Sequence, residues 1–294
     1  MNRSSSKPLI AIACGGTGGH LFPGIAVAGE LNQRGCDVAL LISAKEVDQQ
    51  AVKSAQGMQI FTLPAVGLQN RNYFSFGSSF LKSYLASRKI FRQRPPAAVL
   101  AMGGFTSAPP VLAARKFCAK TFLHESNTIP GKANRFLSRF VDEAFLGFPE
   151  AAGRLRSKKT SVTGTPVRPQ FQIGDAKNKR ASLGLAADLP TILVVGGSQG
   201  ARGLNDLVLS ALPLLKGKNW QWLHLTGAAD FEKVQAGYAK LGLKAVVKPF
   251  LAEMDLALGA ATACVSRAGA SSLAEIAAMR LRHGVRAACK RASL

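Results

Sequence analysis

Residues 8–35 open with Pro8-Leu9-Ile10-Ala11-Ile12-Ala13 and continue through Cys14-Gly15-Gly16-Thr17-Gly18-Gly19-His20 into Leu21-Phe22-Pro23-Gly24-Ile25-Ala26-Val27-Ala28-Gly29-Glu30-Leu31. The first segment is apolar and long enough for one buried strand. The apolar residues of the third segment recur at helical spacing. Pro23 suits the first turn of such a helix, where no N–H partner is needed. The stretch therefore predicts a strand, a glycine turn and a helix.

The glycine turn is suited to an anionic ligand. Four glycines in the five positions 15–19 remove nearly every Cβ, so the backbone can take positive φ and a polar group can approach it closely. The helix that follows directs its free N–H groups toward the same place. His20 stands at the mouth of the turn, where it could move protons near neutral pH. The alternative is a plain strand–helix turn with a capping histidine. No G-x-G-x-x-G frame fits, which disfavours a dinucleotide enzyme.

Length and composition bound the remaining possibilities. A chain of 294 residues suggests two domains, and 47% hydrophobic residues suffice for a sizeable core. No run reaches the 18 or more apolar residues of a membrane span, and the polar segment 1–7 carries no signal peptide. The five cysteines are scattered, which favours neither disulfides nor zinc and fits a reducing cytoplasm; they are Cys14, Cys36, Cys118, Cys264 and Cys289.

The charge is strongly basic, with 38 Lys and Arg against 16 Asp and Glu, a net charge of +22. Nucleic acid, an anionic membrane surface or phosphorylated substrates would each suit such a chain. No helix-turn-helix, zinc finger or aromatic RNA-binding signature is present. We therefore expect a membrane surface or a phosphorylated substrate rather than nucleic acid.

The first half alternates strand-like and helix-like segments, which predicts a doubly wound parallel sheet. A second glycine turn, 103–107, precedes a helix near 110–118, and His124-Glu125-Ser126-Asn127 follows a strand. Ligands of open α/β sheets bind outside the carboxyl ends of the strands, so these segments should converge with His20 on one rim. The alternative for His124 and Glu125 is a structural hydrogen-bonded pair. The later strands are predicted at 37–42, 59–63, 97–102, 120–123, 143–147 and 160–163.

The segment from Tyr73 to Arg94 contains aromatic and basic residues and no Asp or Glu. Its residues Phe80, Leu81, Tyr84 and Leu85 fall on one helical face. A helix with an aromatic face beside a basic one can lie in a membrane interface. The alternative is an ordinary packed helix with a solvated basic side.

The second half repeats the scheme after a break at 164–169 and a polar segment at 174–190. A strand at 191–195 enters a third glycine turn, 196–205, and further strands are predicted at 220–225, 244–247 and 263–265. The last strand enters a turn of small residues, 266–272, and a helix whose first turn or so carries Glu275. The predicted organisation is a domain at 1–165, a linker at 166–188, a second domain at 189–279 and a basic tail at 280–294.

Two α/β domains with glycine turns facing a cleft resemble the GT-B glycosyltransferases. Six motifs resemble, in order and spacing, those of the MurG family of peptidoglycan glycosyltransferases, from about Leu9 to Met279. The motifs are Gly15-Gly16-Thr17-Gly18-Gly19-His20, Met102-Gly103-Gly104-Phe105, His124-Glu125-Ser126-Asn127, Gly164-Thr165-Pro166-Val167-Arg168, Gly196-Gly197-Ser198-Gln199-Gly200-Ala201 and Ser266-Arg267-Ala268-Gly269-Ala270.

The resemblance implies transfer of N-acetylglucosamine from UDP-GlcNAc to the C4 hydroxyl of the muramyl sugar of lipid I. The product is lipid II, formed with inversion at the cytoplasmic face of the membrane, without a metal or cofactor. His20 is the candidate base, and Thr17, Gly18, Gly19 and Asn127 would face the sugar and the acceptor. The implied donor residues are Arg168 and Leu251 near the uracil, Ser198, Ala270, Ser271 and Ser272 at the diphosphate, Leu273 and Ala274 beside them, and Glu275 at the ribose.

The resemblance stops after Met279, where the family continues with a proline-containing strand and a loop that grips the donor sugar. Residues 280–294 are basic, contain no acid and show no clear period. We therefore expect a truncated second domain with an exposed apolar edge, poor solubility and weak or no turnover. The alternative is a non-catalytic, membrane-associated UDP-sugar binder. A different UDP-sugar enzyme of the same architecture is less favoured, because segment 73–94 suits a lipid-linked acceptor.

Overall fold

The computed structural model describes residues 7–45, 48–49, 57–65, 73–197 and 200–286. The chain divides into two compact units, residues 1–168 and 169–294. We call them unit 1 and unit 2.

Unit 1 is built on a parallel sheet of seven strands in the order β3-β2-β1-β4-β5-β6-β7. The chain therefore starts in the middle of the sheet, runs to one edge and returns to build the other half, as in a doubly wound fold. The strands are β1 Leu9–Ala13, β2 Asp37–Ser43, β3 Gln59–Leu63, β4 Ala98–Ala101, β5 Lys120–Glu125, β6 Glu143–Leu146 and β7 Thr160–Val162. The helices among the described residues of unit 1 are α1 Gly18–Gln33, α2 Tyr73–Gln93, α3 Ala108–Ala114 and α4 Lys132–Leu137.

The central strands are apolar on both faces, because helices cover the sheet on both sides. Alternate residues enter different clusters: Ile12 and Leu40 pack with α1 on one face. Ala11 and Leu41 belong to the cluster on the other face, where Phe91 of α2 is fully buried. The period of two in the strand sequences thus fixes which side chain meets which helix.

The first helix begins three residues earlier than the apolar spacing predicts. Thr17 is its extended N-cap, and the Thr17 carbonyl accepts hydrogen bonds from the backbone of His20 and Leu21. His20 therefore lies in the first helical turn rather than before the helix. Pro23 is the sixth helical residue and buried, so its expected place in the first turn is wrong.

Several other boundaries differ from the predicted ones, and two of them concern the loops at the carboxyl ends of the strands. The helix expected near 110–118 spans Ala108–Ala114 and ends in a 3-10 turn, after which Cys118 takes a left-handed conformation (φ 54°). Strand β5 continues through His124 and Glu125, because both pair with β6. These two side chains are therefore held by the sheet itself rather than by a loop after it.

Helix α2 packs one side on the core of unit 1 and exposes the other side, and its contact with a membrane stays a prediction. Ser83 and Ser87 are fully buried, while Phe80 and Tyr84 pack against the core of unit 1. Its outer face exposes apolar and basic side chains: Phe74, Leu81, Leu85, Lys82, Lys89 and Arg92. The four apolar residues Phe80, Leu81, Tyr84 and Leu85 are therefore divided between the core and the solvent. None of the helices in the described ranges is long and apolar enough to cross a bilayer.

Unit 2 is built on a second parallel sheet, of five strands in the order β10-β9-β8-β11-β12. The strands are β8 Thr191–Val195, β9 Gln221–Leu225, β10 Ala245–Lys248, β11 Ala263–Arg267 and β12 Arg282–Arg286. The helices are α5 Ala176–Ser182, α6 Arg202–Ala211, α7 Phe231–Lys240, α8 Met254–Ala260 and α9 Ala270–Ala278.

The segments predicted as linker and tail both contain regular structure. Helix α5 lies within 166–188, and Arg180 joins it to the rest of unit 2 by donating to the Ala260 carbonyl (2.8 Å) and to Thr262 Oγ1 (3.0 Å). Residues 282–286 pair in parallel with β11 as strand β12. The sequence analysis predicts no strand here because the segment is basic and lacks an apolar pattern. A strand at the edge of a sheet tolerates such polar residues.

A buried polar network in unit 2 was not anticipated from the sequence. Asn205 on α6 donates its amide N–H groups to the Thr226 carbonyl (2.9 Å) and to Asp230 Oδ2 (2.8 Å). Its Oδ1 lies 3.1 Å from His224 Nε2, which must therefore carry the proton. His224 Nδ1 accepts from the Tyr238 hydroxyl (3.2 Å). The neutral imidazole thus satisfies both of its partners.

Burial lowers the pKa of His224 to about 4, which predicts acid-sensitive stability of unit 2. In the unfolded chain, His224 has a pKa near 6.5 and is protonated below that pH. Between about pH 6.5 and 4, it therefore binds a proton in the unfolded chain but stays neutral in the folded chain. Stability from His224 is complete above that range and falls as pH drops, by about 2 kcal/mol at pH 5. The only tryptophans, Trp220 and Trp222, are in unit 2, so denaturant unfolding followed by tryptophan fluorescence measures this effect. We expect His224→Gln to remove most of the loss between pH 7 and 5; an equally steep loss in the variant would refute the assignment.

Candidate functional site

Three loops of unit 1 meet at one edge of its sheet. Strand β4 lies between β1 and β5, so the segments that follow these three strands are neighbours. Thr106 Oγ1 donates to the Gly15 carbonyl (2.7 Å), and Ser107 Oγ donates to the Ala13 carbonyl (3.2 Å). The predicted convergence of the two glycine turns on one rim is therefore confirmed.

His20 lies directly against the second glycine turn. A Cβ at Gly103 would come within 2.9 Å of His20 Cε1 and Nδ1, and a Cβ at Gly104 within 3.1 Å of His20 Cδ2. Both glycines have positive φ, 106° and 77°. Only glycine allows this turn to fold so closely over the imidazole.

The environment of His20 favours a neutral ring. Burial lowers the pKa of His20 below its ordinary value, against the opposing effects of Glu125, of a hydrogen bond to the Met102 backbone and of Asp48. A neutral imidazole that donates one N–H to a backbone carbonyl keeps a lone pair on its other nitrogen. His20 can therefore accept a proton.

His124 and Glu125 do not bond to each other, so the alternative of a hydrogen-bonded pair is wrong. His124 Nε2 donates to the Gly164 carbonyl (2.9 Å), and its Nδ1 accepts from Ser126 Oγ (3.3 Å). Burial lowers the pKa of His124 as well. With both ring nitrogens engaged, His124 fastens the end of β5 to the loop after β7.

Glu125 holds the loop between β5 and α4. It is almost fully buried. Oε1 accepts from the backbone N–H of Asn127 (2.8 Å) and its Nδ2 (2.9 Å), while Oε2 accepts from the Gly131 N–H (3.1 Å) and Asn134 Nδ2 (2.8 Å). Both carboxylate oxygens are therefore occupied by the loop.

Asn134 is a site residue that sequence reasoning missed. Its Nδ2 also bonds the His124 carbonyl (3.2 Å) and would lie 3.1 Å from a Cβ at Gly103, next to the His20 ring. Its buried Oδ1 has no hydrogen-bond partner among the described residues. The available signal was its place in the first turn of α4, directly after the loop that begins at Asn127.

The remaining expected residues of unit 1 lie at two places. Thr17, Gly18 and Gly19 form the accessible start of α1, and Asn127 is exposed with its amide on Glu125. Arg168, expected near the uracil, is buried and stacks its guanidinium on the Phe22 ring, with 4.2 Å from Cζ to the ring centroid. The structure therefore places Arg168 beside α1.

Unit 2 brings two further turns to one edge. Strands β8 and β11 are neighbours, so the glycine turn before α6 and the turn before α9 follow neighbouring strands at the same end of the sheet. A Cβ at Gly200 would lie 2.0 Å from the Thr226 carbonyl oxygen, which shows how closely the glycine turn packs on the end of β9. Ser198, expected at the diphosphate, lies outside the described residues.

The other expected donor residues lie at the same end of the sheet of unit 2. Helix α9 begins at Ala270 with Gly269 as its extended N-cap, and its expected site residues are all half-buried: Ala270, Ser271, Ser272, Leu273, Ala274 and Glu275. Glu275 is the sixth helical residue and therefore lies in the second turn of α9, slightly later than expected. Leu251 follows the end of β10 and is half-buried.

Comparison with known families identifies both units. Residues 10–146 match the N-terminal domain of glycosyltransferase family 28, and residues 191–283 match its C-terminal domain. The transferase of Citrifermentans bemidjiense, named UDP-N-acetylglucosamine–N-acetylmuramyl-(pentapeptide) pyrophosphoryl-undecaprenol N-acetylglucosamine transferase, is 40% identical over 92% of this chain and 76% of its own length. The chain belongs to the MurG family. A relative of the same name from Listeria monocytogenes is 34% identical over 92% of this chain and 76% of its own length.

Solved structures agree with membership of the MurG family. MurG of Acinetobacter baumannii is 29% identical and superposes with a TM-score of 0.66 over 93% of this chain and 76% of its own. A glycosyltransferase of Rickettsia africae, 13% identical, has a TM-score of 0.64 over 95% of this chain and 79% of its own and shows the shared fold alone. The chain is a GT-B glycosyltransferase with two parallel-sheet α/β units. The family match to residue 283 also extends beyond Met279, where the recognisable motifs end.

Proposed function

We propose that the chain transfers N-acetylglucosamine from UDP-GlcNAc to the C4 hydroxyl of the muramyl sugar of lipid I, giving lipid II with inversion at the transferred sugar. Family membership supports the reaction. The observation that carries the mechanism is the neutral His20 enclosed by the second glycine turn beside the start of α1. Glycine turns and helix N-termini would stabilise the diphosphates.

His20 acts in this proposal as the general base for the acceptor hydroxyl. Its free ring nitrogen takes the C4 hydroxyl proton as the oxygen attacks the sugar carbon and the bond to the UDP oxygen breaks. The negative charges of Glu125 and Asp48 stabilise the imidazolium that results. The N-terminus of α9, with the turn at Ala270–Ser272, would stabilise the UDP leaving group.

The acceptor is lipid-linked, and the outer face of α2 is the surface we assign to the cytoplasmic face of the membrane. Phe74 is 90% exposed, and Leu81 and Leu85 are 56% and 52% exposed, among three basic side chains. Apolar insertion combined with about 1 kcal/mol for each Lys or Arg near anionic lipid would anchor the chain peripherally.

We expect the double substitution Leu81→Glu and Leu85→Glu to weaken binding to vesicles of phosphatidylglycerol and phosphatidylcholine at least tenfold. Two partly inserted leucines are lost and two negative charges face the anionic surface. Vesicle co-sedimentation at two salt concentrations measures the change. Leu214→Glu is the matched control, because Leu214 is 83% exposed in unit 2. Equal binding by the double variant and the unsubstituted chain would contradict the assignment.

The function is tested by incubating the chain with labelled UDP-GlcNAc and a lipid I analogue. UDP-glucose and UDP-N-acetylgalactosamine serve as competing donors, and a muramyl acceptor without the lipid serves as competing acceptor. We expect label in the lipid-linked product from UDP-GlcNAc alone. The weak turnover expected from the residues after Met279 stays a prediction. The protein is used in excess over the acceptor, so that even a single turnover can be measured. UDP binding without any product would favour the non-catalytic binder.

A further inference from the structure

Asp48 is a buried acidic residue next to the first glycine turn that the mechanism above uses only as a distant charge. It is fully buried. Its Oδ2 accepts from the Gly16 backbone N–H (2.6 Å), from Ser43 Oγ (2.5 Å) and from the Ser43 backbone N–H (3.2 Å). Its Oδ1 is buried without a hydrogen-bond partner in the described part of the chain. A buried carboxylate with one unsatisfied oxygen is costly, and such groups call for an explanation.

The peptide between Gly15 and Gly16 is held at both of its polar atoms. Thr106 Oγ1 donates to the Gly15 carbonyl (2.7 Å), and Asp48 Oδ2 accepts from the Gly16 N–H (2.6 Å). These two partners come from loops after different strands, β4 and β2. The orientation of this peptide is therefore set from opposite sides.

Gly16 itself has little freedom left. Its φ is 104°, and a Cβ there would lie 2.9 Å from the Phe105 ring. The Lys45 ammonium donates a hydrogen bond to the Gly16 carbonyl (3.1 Å). Its nitrogen also lies 5.1 Å from the centroid of the Phe105 ring. Thr17, the next residue, is the N-cap of α1.

We propose that Asp48 is a positioning residue for the transfer reaction: its carboxylate fixes the peptide between Gly15 and Gly16, and through it the start of α1 on which His20 stands. The inference rests on the proposed role of His20. Displacement of a catalytic group by about 1 Å can cost about a hundredfold in rate, which gives the clamp a functional reason.

The charge of Asp48 supports a second effect on the same residue. Among the described residues, the groups that face His20 are Glu125 and His124 from β5, the Met102 backbone directly after β4 and Asp48 from the segment after β2. The charge of Asp48 raises the pKa of His20 but does not contribute to the pKa shift of His124. Removal of its charge should therefore lower the pKa of His20 selectively.

The test compares Asp48→Asn, Thr106→Val and Asp142→Asn in the full chain. Asp142 also accepts a hydrogen bond from a backbone N–H, because its Oδ2 lies 2.7 Å from the Thr121 nitrogen. Asp142 directly precedes β6, so it lies at the amino-terminal ends of the strands, away from the glycine turns. Its variant is the matched control. The readouts are histidine titration by NMR with carbon-13-labelled histidine, single-turnover rate, UDP affinity and melting temperature. The signal that disappears in His20→Gln assigns His20.

We expect Asp48→Asn to lower the pKa of His20 and leave that of His124, to reduce the single-turnover rate ten- to a hundredfold, and to change UDP affinity by less than twofold. Thr106→Val should reduce the rate similarly without moving the His20 titration, because no charge is lost. Asp142→Asn should change neither. A folded Asp48→Asn with unchanged titration and rate would overturn the proposal, as would equal movement of His20 and His124.

Two outcomes are kept apart by this design. If Asp48→Asn does not fold, an unchanged rate in Thr106→Val overturns the clamp, and a reduced rate at unchanged UDP affinity supports it. If His20→Gln keeps the full rate, the base assignment in the proposed function fails. The effect of Asp48 on the His20 titration is then still read by NMR, so the two failures are distinguishable.

Discussion

Substitution of His20 by alanine is expected to reduce the rate of glycosyl transfer by about 10²- to 10⁴-fold, the typical contribution of a positioned general base. The ring is enclosed by Gly103 and Gly104 and hydrogen-bonded to the Met102 backbone, so its free nitrogen has a fixed place. Alanine leaves no group there to take the hydroxyl proton. UDP affinity should be unchanged, because the proposed donor loops belong to unit 2.

The pH dependence gives an independent measure of the same role. Because burial lowers the pKa of His20 below its ordinary value, the base stays neutral at neutral pH. The rate should fall only as pH drops through that lowered pKa. In the variant this acid limb should disappear. A single-turnover rate within about threefold of the unsubstituted chain, with the acid limb intact, would contradict the assignment.

Gly200→Ala is expected to destabilise unit 2 by about 2 to 5 kcal/mol and to weaken UDP binding at least tenfold, from left-handed strain and overpacking together. Gly200 has φ 73°, and a Cβ there would lie 2.0 Å from the Thr226 carbonyl oxygen and 2.9 Å from Gly227 Cα. These are backbone atoms. The Thr226 carbonyl is also held by Asn205, so the glycine turn must move instead.

The matched control is Gly203→Ala, three residues further along the same segment. Gly203 lies in α6, and a Cβ there would meet nothing within 4 Å. Replacement of a helical glycine by alanine should stabilise by up to about 1 kcal/mol. Calorimetric UDP binding and thermal unfolding measure both variants. Similar affinities for Gly200→Ala and Gly203→Ala would show that the close packing on Thr226 does not shape the donor site.

Local sequence patterns were sufficient to locate strands β1 to β11 and to predict that the loops after β1 and β4 meet. The run Leu9–Ala13 is apolar because helices cover both faces of the sheet, and the bounds of β3 follow directly from Gln59–Leu63. The glycine turns mark the carboxyl ends of β1, β4 and β8. Since parallel strands end on one edge, the convergence of His20 with the Gly103 turn could be predicted.

Residues whose roles depend on distant partners could not be predicted in this way. Asp48 reaches Gly16 from 32 positions away, and His224 acquires its role from Asn205 and Tyr238. The spacing of apolar residues along a helix or strand carries no information about such long-range contacts. Strand β12 was missed because an edge strand requires backbone pairing rather than an apolar pattern.

The central claim is tested most directly by the structure of the product. The chain, in excess, is incubated with UDP-GlcNAc carrying carbon-13 at the anomeric carbon and with a lipid I analogue, and the isolated lipid product is examined by NMR. The account predicts a β-linkage from the labelled carbon to the C4 oxygen of the muramyl sugar, absent in His20→Ala. A product with retained α configuration, attachment at another hydroxyl, or equal product from the variant would contradict it.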